Sequence, residues 1–268
     1  MKKQPDYSLE HKKWLQQKSR KKWLVGVCQI SILILFIAFW EIAGQLGWIN
    51  TFITSTPSRV ISTIGSLYTS GDLFYHMGIT LYETMLGFII ATVLGTLIAI
   101  ILWWSDTLRR ILDPYIVVLN SLPKIALGPL IIIWVGAGVQ SIVTICVLIL
   151  IIVTIISMLN TFRECDQEKI LLMRSMGANK FQILWKLILP ASIPGFVSVL
   201  KINVGMSWVG SIIGEYLVSS AGLGYLIVYG SQVFKLDLVM ASTILLCILA
   251  SIMYFAVALI EKAILKKR

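Results

Sequence analysis

The chain has 268 residues, of which 57% are hydrophobic and 13% are charged, and its formal net charge is +10. Soluble domains carry about 25% charged residues, so this composition excludes an ordinary soluble protein and indicates an integral membrane protein. The basic excess does not suit a nucleic-acid binder, because the Lys and Arg residues cluster between long apolar runs and form no single solvated face. At about 20 apolar residues per crossing, the length allows roughly five to seven spans.

The first apolar run, residues 23–40, is long enough for one crossing. Residues 1–22 before it are too long and polar for the start of a cleaved signal, so we predict a tail that leads into an uncleaved first span. An external connection follows, with one short helix after Pro57. The second span is predicted at 79–104, where Gly87 and Gly95 would let a neighbouring helix approach closely.

The uncharged stretch 125–162 is too long for one helix and is interrupted by Gly136 and Gly138. It is therefore divided between a third span at 115–135 and a fourth at 139–160. A polar segment, residues 161–194, separates these from a fifth span at 195–218. A sixth span is predicted at 238–260.

The distribution of positive charge predicts the orientation of these six spans. Nineteen of the 23 Lys and Arg residues lie on the side that six crossings assign to the amino terminus, and only Arg59 and Lys235 face the other side. Because cytoplasmic loops carry the Lys and Arg excess, both termini are predicted to be cytoplasmic. The predicted fold is all-α and polytopic, with a basic tail at 1–22, one transmembrane domain at 23–260 that includes the cytoplasmic segment 161–194, and a basic tail at 261–268.

Segment 161–194 is longer than a connection needs and is patterned as two short helices. Residues 163–176 mix apolar and charged side chains at helical spacing, which predicts an amphipathic helix that ends at Gly177. A second helix, with Phe181 and Trp185 available on its surface, is predicted to end at Pro190. Two exposed helices that meet at a glycine would form a docking knob for another protein.

Gly177, followed after nine residues by Leu-Ile-Leu-Pro at 187–190, resembles the signature of the cytoplasmic coupling loop in permease subunits of ATP-binding-cassette importers. The first half of the loop departs from the family, since Leu-Leu-Met stands at 171–173 where the family often has Glu-Ala-Ala. The resemblance implies that the loop fits a cleft on a separate cytoplasmic ATPase subunit. The residues implied in this coupling are Met173, Gly177, Ala178, Phe181, Trp185, Leu187, Leu189 and Pro190.

Two further stretches resemble the nitrate, sulfonate and taurine branch of these permeases. Residues 113–138 contain Asp-Pro and Leu-Pro-Lys-Ile-Ala-Leu-Gly-Pro, and residues 214–225 contain Gly-Glu-Tyr and Ser-Ala-Gly-Leu-Gly-Tyr. The resemblance implies the cytoplasmic membrane, a path between two copies of the chain, and an external solute-binding protein that holds most of the selectivity. The implied substrate is a small organic anion such as an aliphatic sulfonate, taurine or nitrate. Related permeases also move vitamin precursors and other heterocycles, which stay as an alternative.

No phosphate-binding Gly-x-x-x-x-Gly-Lys-Ser/Thr motif occurs in the sequence, so ATP is expected to be used by the partner subunit and no cofactor is expected in this chain. The two histidines are isolated and the cysteines form no Cys-x-x-Cys pair, so neither a metal site nor an enzyme is predicted. A self-sufficient secondary carrier is the competing interpretation, but such a carrier would be expected to show internal inverted repeats.

Candidate residues of the translocation path are the polar groups of the third and fifth spans. Lys124 would lie near mid-bilayer, where a cation costs about 2.5 to 3.5 kcal/mol on insertion scales and should face protein or a water-filled path. There it would line the route of an anion. Alternatively, Pro123 would break the helix and let Lys124 reach the interface, or Lys124 would pair with Glu83 or Glu215. The other candidates are Asn120, Asn203, Ser207 and Glu215. These residues would either line the path or form hydrogen bonds between helices.

Overall fold

The computed structural model of the chain describes residues 9–266, with side chains from 17 to 264 apart from residues 19 and 22. All regular structure in that range is helical, which confirms the predicted all-α class. Residues 1–8 and 267–268, the outer parts of the two predicted tails, lie outside the described residues. The chain forms two compact units, one ending at Thr63 and the other beginning at Ile64.

The first unit contains the first predicted span. Helix α1 (Leu9–Gln45) includes an apolar stretch at Trp23–Gln45 that is long enough to cross a membrane. It is followed by a single turn, α2 (Thr51–Thr54), and by the start of α3 (Pro57–Ser70), which is the short helix predicted after Pro57. The Glu41 carboxylate accepts hydrogen bonds from the backbone N–H of Ser58 at 3.0 Å and from its hydroxyl at 2.9 Å, and so ties the end of α1 to the start of α3.

The second unit contains the remaining spans. Its elements are α4 (Asp72–Trp104), α5 (Asp106–Ser121), a 3-10 turn (Lys124–Leu127), α6 (Gly128–Val135), α7 (Val139–Arg163), α8 (Gln167–Ser175), α9 (Lys180–Ile183), a π turn (Leu184–Ile188), α10 (Leu189–Val218), α11 (Leu223–Gln232) and α12 (Leu236–Lys266). In the described part of the chain five helices are long and apolar enough to span a membrane, and the bent α5–α6 pair makes a sixth if it is one span.

Helix α7 packs between α4 and α10, and small residues on both neighbours allow the close approach. A Cβ at Gly87 of α4 would overlap the side chain of Cys146, and one at Gly95 would lie 2.7 Å from the Cβ of Thr154. The prediction for these two glycines is therefore confirmed. On the α10 side, a Cβ at Gly210 would lie 2.8 Å from the Cα of Cys146.

Helix α12 covers the other side of α10. Its buried leucines, with Met253 and Val257, pack with Val204 and Trp208 of α10 and with the buried apolar face of α11. Lys201 of α10 forms an ion pair with Glu261 near the end of α12. Each side chain of the pair is about one quarter exposed, so the charge of Lys201 is neutralised where α10 and α12 meet.

The third predicted span, 115–135, is bent and is not one straight helix. Helix α5 begins at Asp106, ends at Ser121, and makes an angle of 84° with Lys124–Val135. Pro123 is the physical cause, because it restricts the residue before it to an extended conformation, and Leu122 has φ −63° and ψ 137°. The alternative in which Pro123 breaks the helix is the one that the structure adopts.

The prediction that Pro190 ends a helix is wrong. The helix that begins with α9 continues through the π turn into α10, so that Lys180–Val218 forms one run of 39 residues. In the π turn the N–H of Leu189 bonds to the carbonyl of Leu184, five residues back. The hydrogen-bond ladder has therefore already shifted where the proline ring interrupts it, and the helix tolerates the proline.

The other predicted boundaries differ more modestly. The first helix of the 161–194 segment is α8, which begins at Gln167 because α7 itself continues to Arg163. The helices that contain the second and sixth predicted spans are longer than the spans themselves, at Asp72–Trp104 and Leu236–Lys266. Gly205 of α10 has open space beside it in the described part of the chain, so it does not mark a close approach of helices there.

Candidate functional site

The segment between α7 and α10 folds as a compact turn of two helices joined at Gly177. The Asp166 carboxylate caps α8 by accepting the N–H of Glu168 at 2.9 Å. At the other end the N–H groups of Gly177 and Ala178 bond to the carbonyls of Arg174 and Met173, both at 2.9 Å, which is the Schellman pattern.

Gly177 is the position in this turn that needs glycine. It has φ +81°, and a Cβ there would meet no described atom within 4 Å. The glycine is therefore required for its left-handed backbone and not for close packing of the two helices. The alternative reason for a glycine at the junction of two helices, that it lets them approach closely, is contradicted by the open space beside Gly177.

The second helix begins with a reciprocal cap and presents two aromatic rings. Asn179 accepts the N–H of Gln182 at 2.8 Å, and the Gln182 side chain accepts the N–H of Asn179 at 2.9 Å. Phe181 and Trp185, four residues apart on one face, are 61% and 65% exposed. Their rings stack at a centroid distance of 6.4 Å with an interplanar angle of 6°.

The opposite face of this helix is anchored in the core. Ile183, Leu184 and Ile188 are buried in a cluster that includes Met158 and Phe162 of α7. Of the residues implied in coupling, the structure exposes Gly177, Phe181 and Trp185 and partly buries Met173, Ala178, Leu187, Leu189 and Pro190. Met173, Ala178, Leu187 and Leu189 pack against this cluster, whereas Phe181 and Trp185 face away from it. We name the eight residues the coupling surface. Their role in coupling stays a prediction.

At the far end of α10, Glu215 holds the first turn of α11. Its Oε2 accepts the backbone N–H of Gly224 at 2.6 Å and that of Tyr225 at 3.3 Å. The Glu83 side chain of α4 lies near that of Glu215, both residues are 1% exposed, and Glu83 Oε2 and Glu215 Oε1 have no hydrogen-bond partner among the described atoms. Because two ionised carboxylates repel each other, such a contact needs a proton on one of them.

Two more side chains of α4 complete this arrangement. The Nδ1 atom of His76 accepts the N–H of Gly222 at 2.9 Å, and the hydroxyl of Thr80 accepts the N–H of Leu223 at 2.8 Å. The His76 ring also stacks on Tyr225. Four consecutive N–H groups at the start of α11 are thus satisfied by side chains of α4 and α10, which fixes α11 to both helices.

Asn203 and Ser207 lie inside the helix bundle. The Asn203 amide donates to Thr92 of α4 at 3.0 Å and to Thr154 of α7 at 2.9 Å, so it joins three helices. The hydroxyl of Ser207 donates to the Val204 carbonyl at 2.8 Å. Both residues are fully buried. The contacts of Asn203 are those of the alternative in which it holds helices together, whereas the Ser207 hydroxyl bonds within its own helix.

Asn120 and Lys124 lie elsewhere, at the bend between α5 and α6. Asn120 is exposed, and the Lys124 ammonium donates to the Asn120 carbonyl at 3.2 Å. Among the described side chains Lys124 forms no ion pair, and its contact is with Asn120 and not with Glu83 or Glu215. The structure therefore separates the five candidate path residues into an outer pair and three interior ones.

Sequence reasoning missed several polar residues that organise this interior. A signal was present on α4, where His76, Thr80 and Thr84 recur every four residues and so share one face. The hydroxyl of Thr84 bonds to that of Ser211 at 2.6 Å, which extends the polar contact between α4 and α10. Within the described range, no three His, Cys, Asp or Glu side chains are placed to hold a metal ion.

Comparisons with known proteins agree with this arrangement. Residues 91–267 match the family model described as the binding-protein-dependent transport system inner membrane component. The chain is 29% identical to a putative aliphatic sulfonates transport permease protein of Bacillus subtilis, over 94% of this chain and 90% of that one. It is 27% identical to a formylaminopyrimidine transport permease protein of Halalkalibacterium halodurans, over 72% and 76%.

The fold also resembles a solved structure. A chain of the MetNI methionine ABC transporter, solved in an inward-facing conformation, superposes with a TM-score of 0.64 at 24% identity, covering 71% of this chain and 95% of that one.

Proposed function

We propose that this chain, which belongs to the binding-protein-dependent transport system inner membrane component family, uses its coupling surface to dock a separate ATPase subunit. The chain is a multi-pass membrane protein and a permease subunit of an ATP-binding-cassette importer. The coupling surface, both termini and the basic segments lie in the cytoplasm, an orientation supported by the one-sided distribution of Lys and Arg.

The observation that carries this proposal is the exposed aromatic pair at the base of a continuous helix. Phe181 and Trp185 offer a rigid apolar face of the kind that anchors protein interfaces. The same helix, which includes the π turn and Pro194, continues to Val218, so Trp185 and Glu215 lie about 45 Å apart along one helical run. Movement imposed on the coupling surface by nucleotide-driven closure of the ATPase therefore reaches α11 at the other side of the membrane.

One chain alone does not form the translocation path, so further partners are needed. A second copy of the chain completes the translocation path, and an extracytoplasmic binding protein delivers the solute. Asn120, which is exposed, and Lys124, which is partly buried, lie at the bend between α5 and α6 and are the residues that we place on the path. Asn203, Ser207 and Glu215 act by positioning the helices around it.

The solute is a small organic anion of the aliphatic sulfonate class. The resemblance of residues 113–138 and 214–225 and the similarity to the sulfonate permease support this class, and the charge of Lys124 is consistent with it. The similarity to the formylaminopyrimidine permease supports a heterocycle as the second candidate. Purifying the cognate binding protein and measuring its affinity for taurine, alkanesulfonates and aminopyrimidines separates the two.

The experiment that tests docking compares Phe181→Ala and Trp185→Ala with Phe74→Ala. Phe74 is 66% exposed and lies at the beginning of α4. Its replacement therefore removes an exposed aromatic side chain outside the coupling surface and serves as the matched control. We expect the first two variants to lose co-purification of the ATPase and ATP-driven uptake into vesicles, and the third to keep both. Normal association of the ATPase with the Phe181→Ala, Trp185→Ala double variant would contradict the proposal.

A further inference from the structure

A cleft of about 600 Å³ lies between the coupling surface and the ends of the spans. Residues of α4, α5, α7, α8 and α9 converge on it. Its lining includes three buried apolar side chains, Leu159 and Phe162 of α7 and Ile170 of α8, which we call its floor, and more exposed basic side chains, which we call its rim. An apolar floor below a charged rim differs from a simple solvated crevice and indicates an amphipathic occupant.

The lining of the cleft carries more basic than acidic side chains. Arg163, Arg174 and Lys180 all line the cleft, and none of them forms an ion pair among the described side chains. Two lining residues are acidic, Asp106 and Glu164. Uncompensated basic side chains that face one cavity favour an anion within it.

The carboxylate of Asp106 is already engaged. It accepts from the guanidinium groups of Arg109 and Arg110, and Arg109 pairs with Asp113 as well. This group of charges is internally neutralised and does not cancel those of Arg163, Arg174 and Lys180. The cleft therefore retains an excess of positive charge from three different elements.

The position of the cleft relative to the bilayer is marked by two tryptophans. Trp103 lines the cleft, and Trp104 is the last residue of the 33-residue helix α4. The Lys180 ammonium donates to the Trp104 carbonyl and lies 5.9 Å from the centroid of each tryptophan ring. Tryptophan at the end of an apolar span marks the headgroup region, so the cleft opens at that depth.

We propose that this cleft binds the phosphate of an anionic phospholipid. Arg163 and Arg174 supply guanidinium groups, which suit a phosphate through paired hydrogen bonds, and Lys180 is held in place beside them. The apolar floor accommodates the glycerol and the first acyl carbons. Basic pockets at the cytoplasmic ends of transmembrane helices bind such headgroups. Only the assignment to the cytoplasmic leaflet rests on the proposed function.

Binding there would connect the spans to the coupling surface. Arg163 is the last residue of α7, Arg174 belongs to α8, and Lys180 begins α9. A single phosphate held by all three would brace the coupling surface against the end of α7. The lipid would thereby act as a structural ligand of the segment that contacts the ATPase.

The test uses the full-length chain purified in a neutral detergent, without the ATPase. Native mass spectrometry measures the retention of added phosphatidylglycerol and of phosphatidylcholine, with and without millimolar inorganic phosphate. The variants are Arg163→Gln, Arg174→Gln and the charge-preserving Arg163→Lys. Lys169→Gln is the matched control, because Lys169 lies on the same helix as Arg174 but pairs with Asp166 outside the cleft.

We expect phosphatidylglycerol to be preferred over phosphatidylcholine and to resist displacement by inorganic phosphate. Each Arg→Gln change should weaken its binding about fivefold, Arg163→Lys should weaken it less, and Lys169→Gln should leave it unchanged. Equal retention of both lipids, an equal loss in the Lys169→Gln control, or displacement by inorganic phosphate would overturn the proposal. So would Arg163→Gln and Arg174→Gln variants that retain phosphatidylglycerol as well as the unchanged protein does.

The result does not depend on docking. If Phe181→Ala and Trp185→Ala leave ATPase association normal while the lipid results hold, the proposed function of the coupling surface fails and the lipid site stands.

Discussion

Glu215 Oε2 accepts the backbone N–H of Gly224 at 2.6 Å, and this contact joins the end of α10 to the first turn of α11. The carboxylate occupies the position of an anion at a helix amino terminus, where unpaired N–H groups and the helix dipole both favour negative charge. Gly224 leaves room for it, since a Cβ there would lie 2.8 Å from the same oxygen. The buried acid thus has a structural function within the chain.

Replacing Glu215 with Ala should destabilise the protein. The N–H groups of Gly224 and Tyr225 would lose their acceptor in a buried site, and each unsatisfied group costs about 1 to 3 kcal/mol. Thermal unfolding of the purified variant measures the effect. Glu168→Ala, which removes an exposed carboxylate from α8, should leave the unfolding midpoint nearly unchanged. Equal midpoints for the two variants would show that the contact contributes nothing.

Glu83→Gln should be tolerated, whereas Glu83→Leu should not. Glu83 Oε2 and Glu215 Oε1 are buried without a hydrogen-bond partner among the described atoms, and a glutamine amide supplies a donor there without protonation while it keeps the size of the side chain. Leucine leaves Glu215 without this partner inside the bundle. Uptake and thermal midpoint should both follow this order. If Glu83→Gln lowered uptake and the thermal midpoint as much as Glu83→Leu, a donated hydrogen atom would not be what stabilises this contact.

Much of the architecture was predictable, because it depends on local physics. Apolar run length gives the spans, and the small residues Gly87 and Gly95 mark where α7 approaches α4. Gly177 was correctly predicted to end a helix. The physical reason is its positive φ. The failure at Pro190 has a local cause too, since a π turn is not visible in apolar periodicity and allows a helix to continue through proline.

The interior polar contacts could not be predicted in the same way. His76 bonds to Gly222 across 146 residues of sequence, and Thr80 bonds to Leu223 across 143. Nothing in the spacing along α4 specifies which partner its polar face meets. Asn203 was identified as a candidate path residue, but its environment depends on how three helices pack. A residue on the path and a residue that bridges helices therefore look alike in the sequence.

The packing of α4 on α7 gives a prediction with a control on the same helix. Gly95→Leu should destabilise the protein by about 1 to 3 kcal/mol, because the added side chain must displace Thr154 in a tightly packed interface. Gly78→Leu should be nearly neutral, since a Cβ there meets no described atom within 4 Å. Unfolding in a denaturing detergent measures both. A similar loss of stability in the two variants would indicate a loss of helix flexibility and not a packing conflict.

Substitutions at Gly177 should follow backbone preference and not side-chain volume. Asn adopts the left-handed region more readily than Ala, and β-branched Val least readily, at a residue with φ +81° and open space beside it. We therefore expect ATP-driven uptake to decrease in the order Gly, Asn, Ala, Val, with normal membrane insertion throughout. If Ala retained more activity than the larger Asn, the volume of the side chain would be the deciding property.

Asn203 and Asn120 distinguish a structural polar residue from one on the path. Asn203→Ala should lower stability by roughly 0.6 kcal/mol or more, because it removes a bridge between α4, α7 and α10, and uptake should fall only as far as the folded fraction does. Asn120→Ala should leave the unfolding midpoint unchanged, because the side chain is exposed, and should alter the concentration of solute needed for half-maximal uptake. Uptake and unfolding are measured on the same vesicle preparations. A changed solute dependence in a fully stable Asn203→Ala variant would move the path inward to α10.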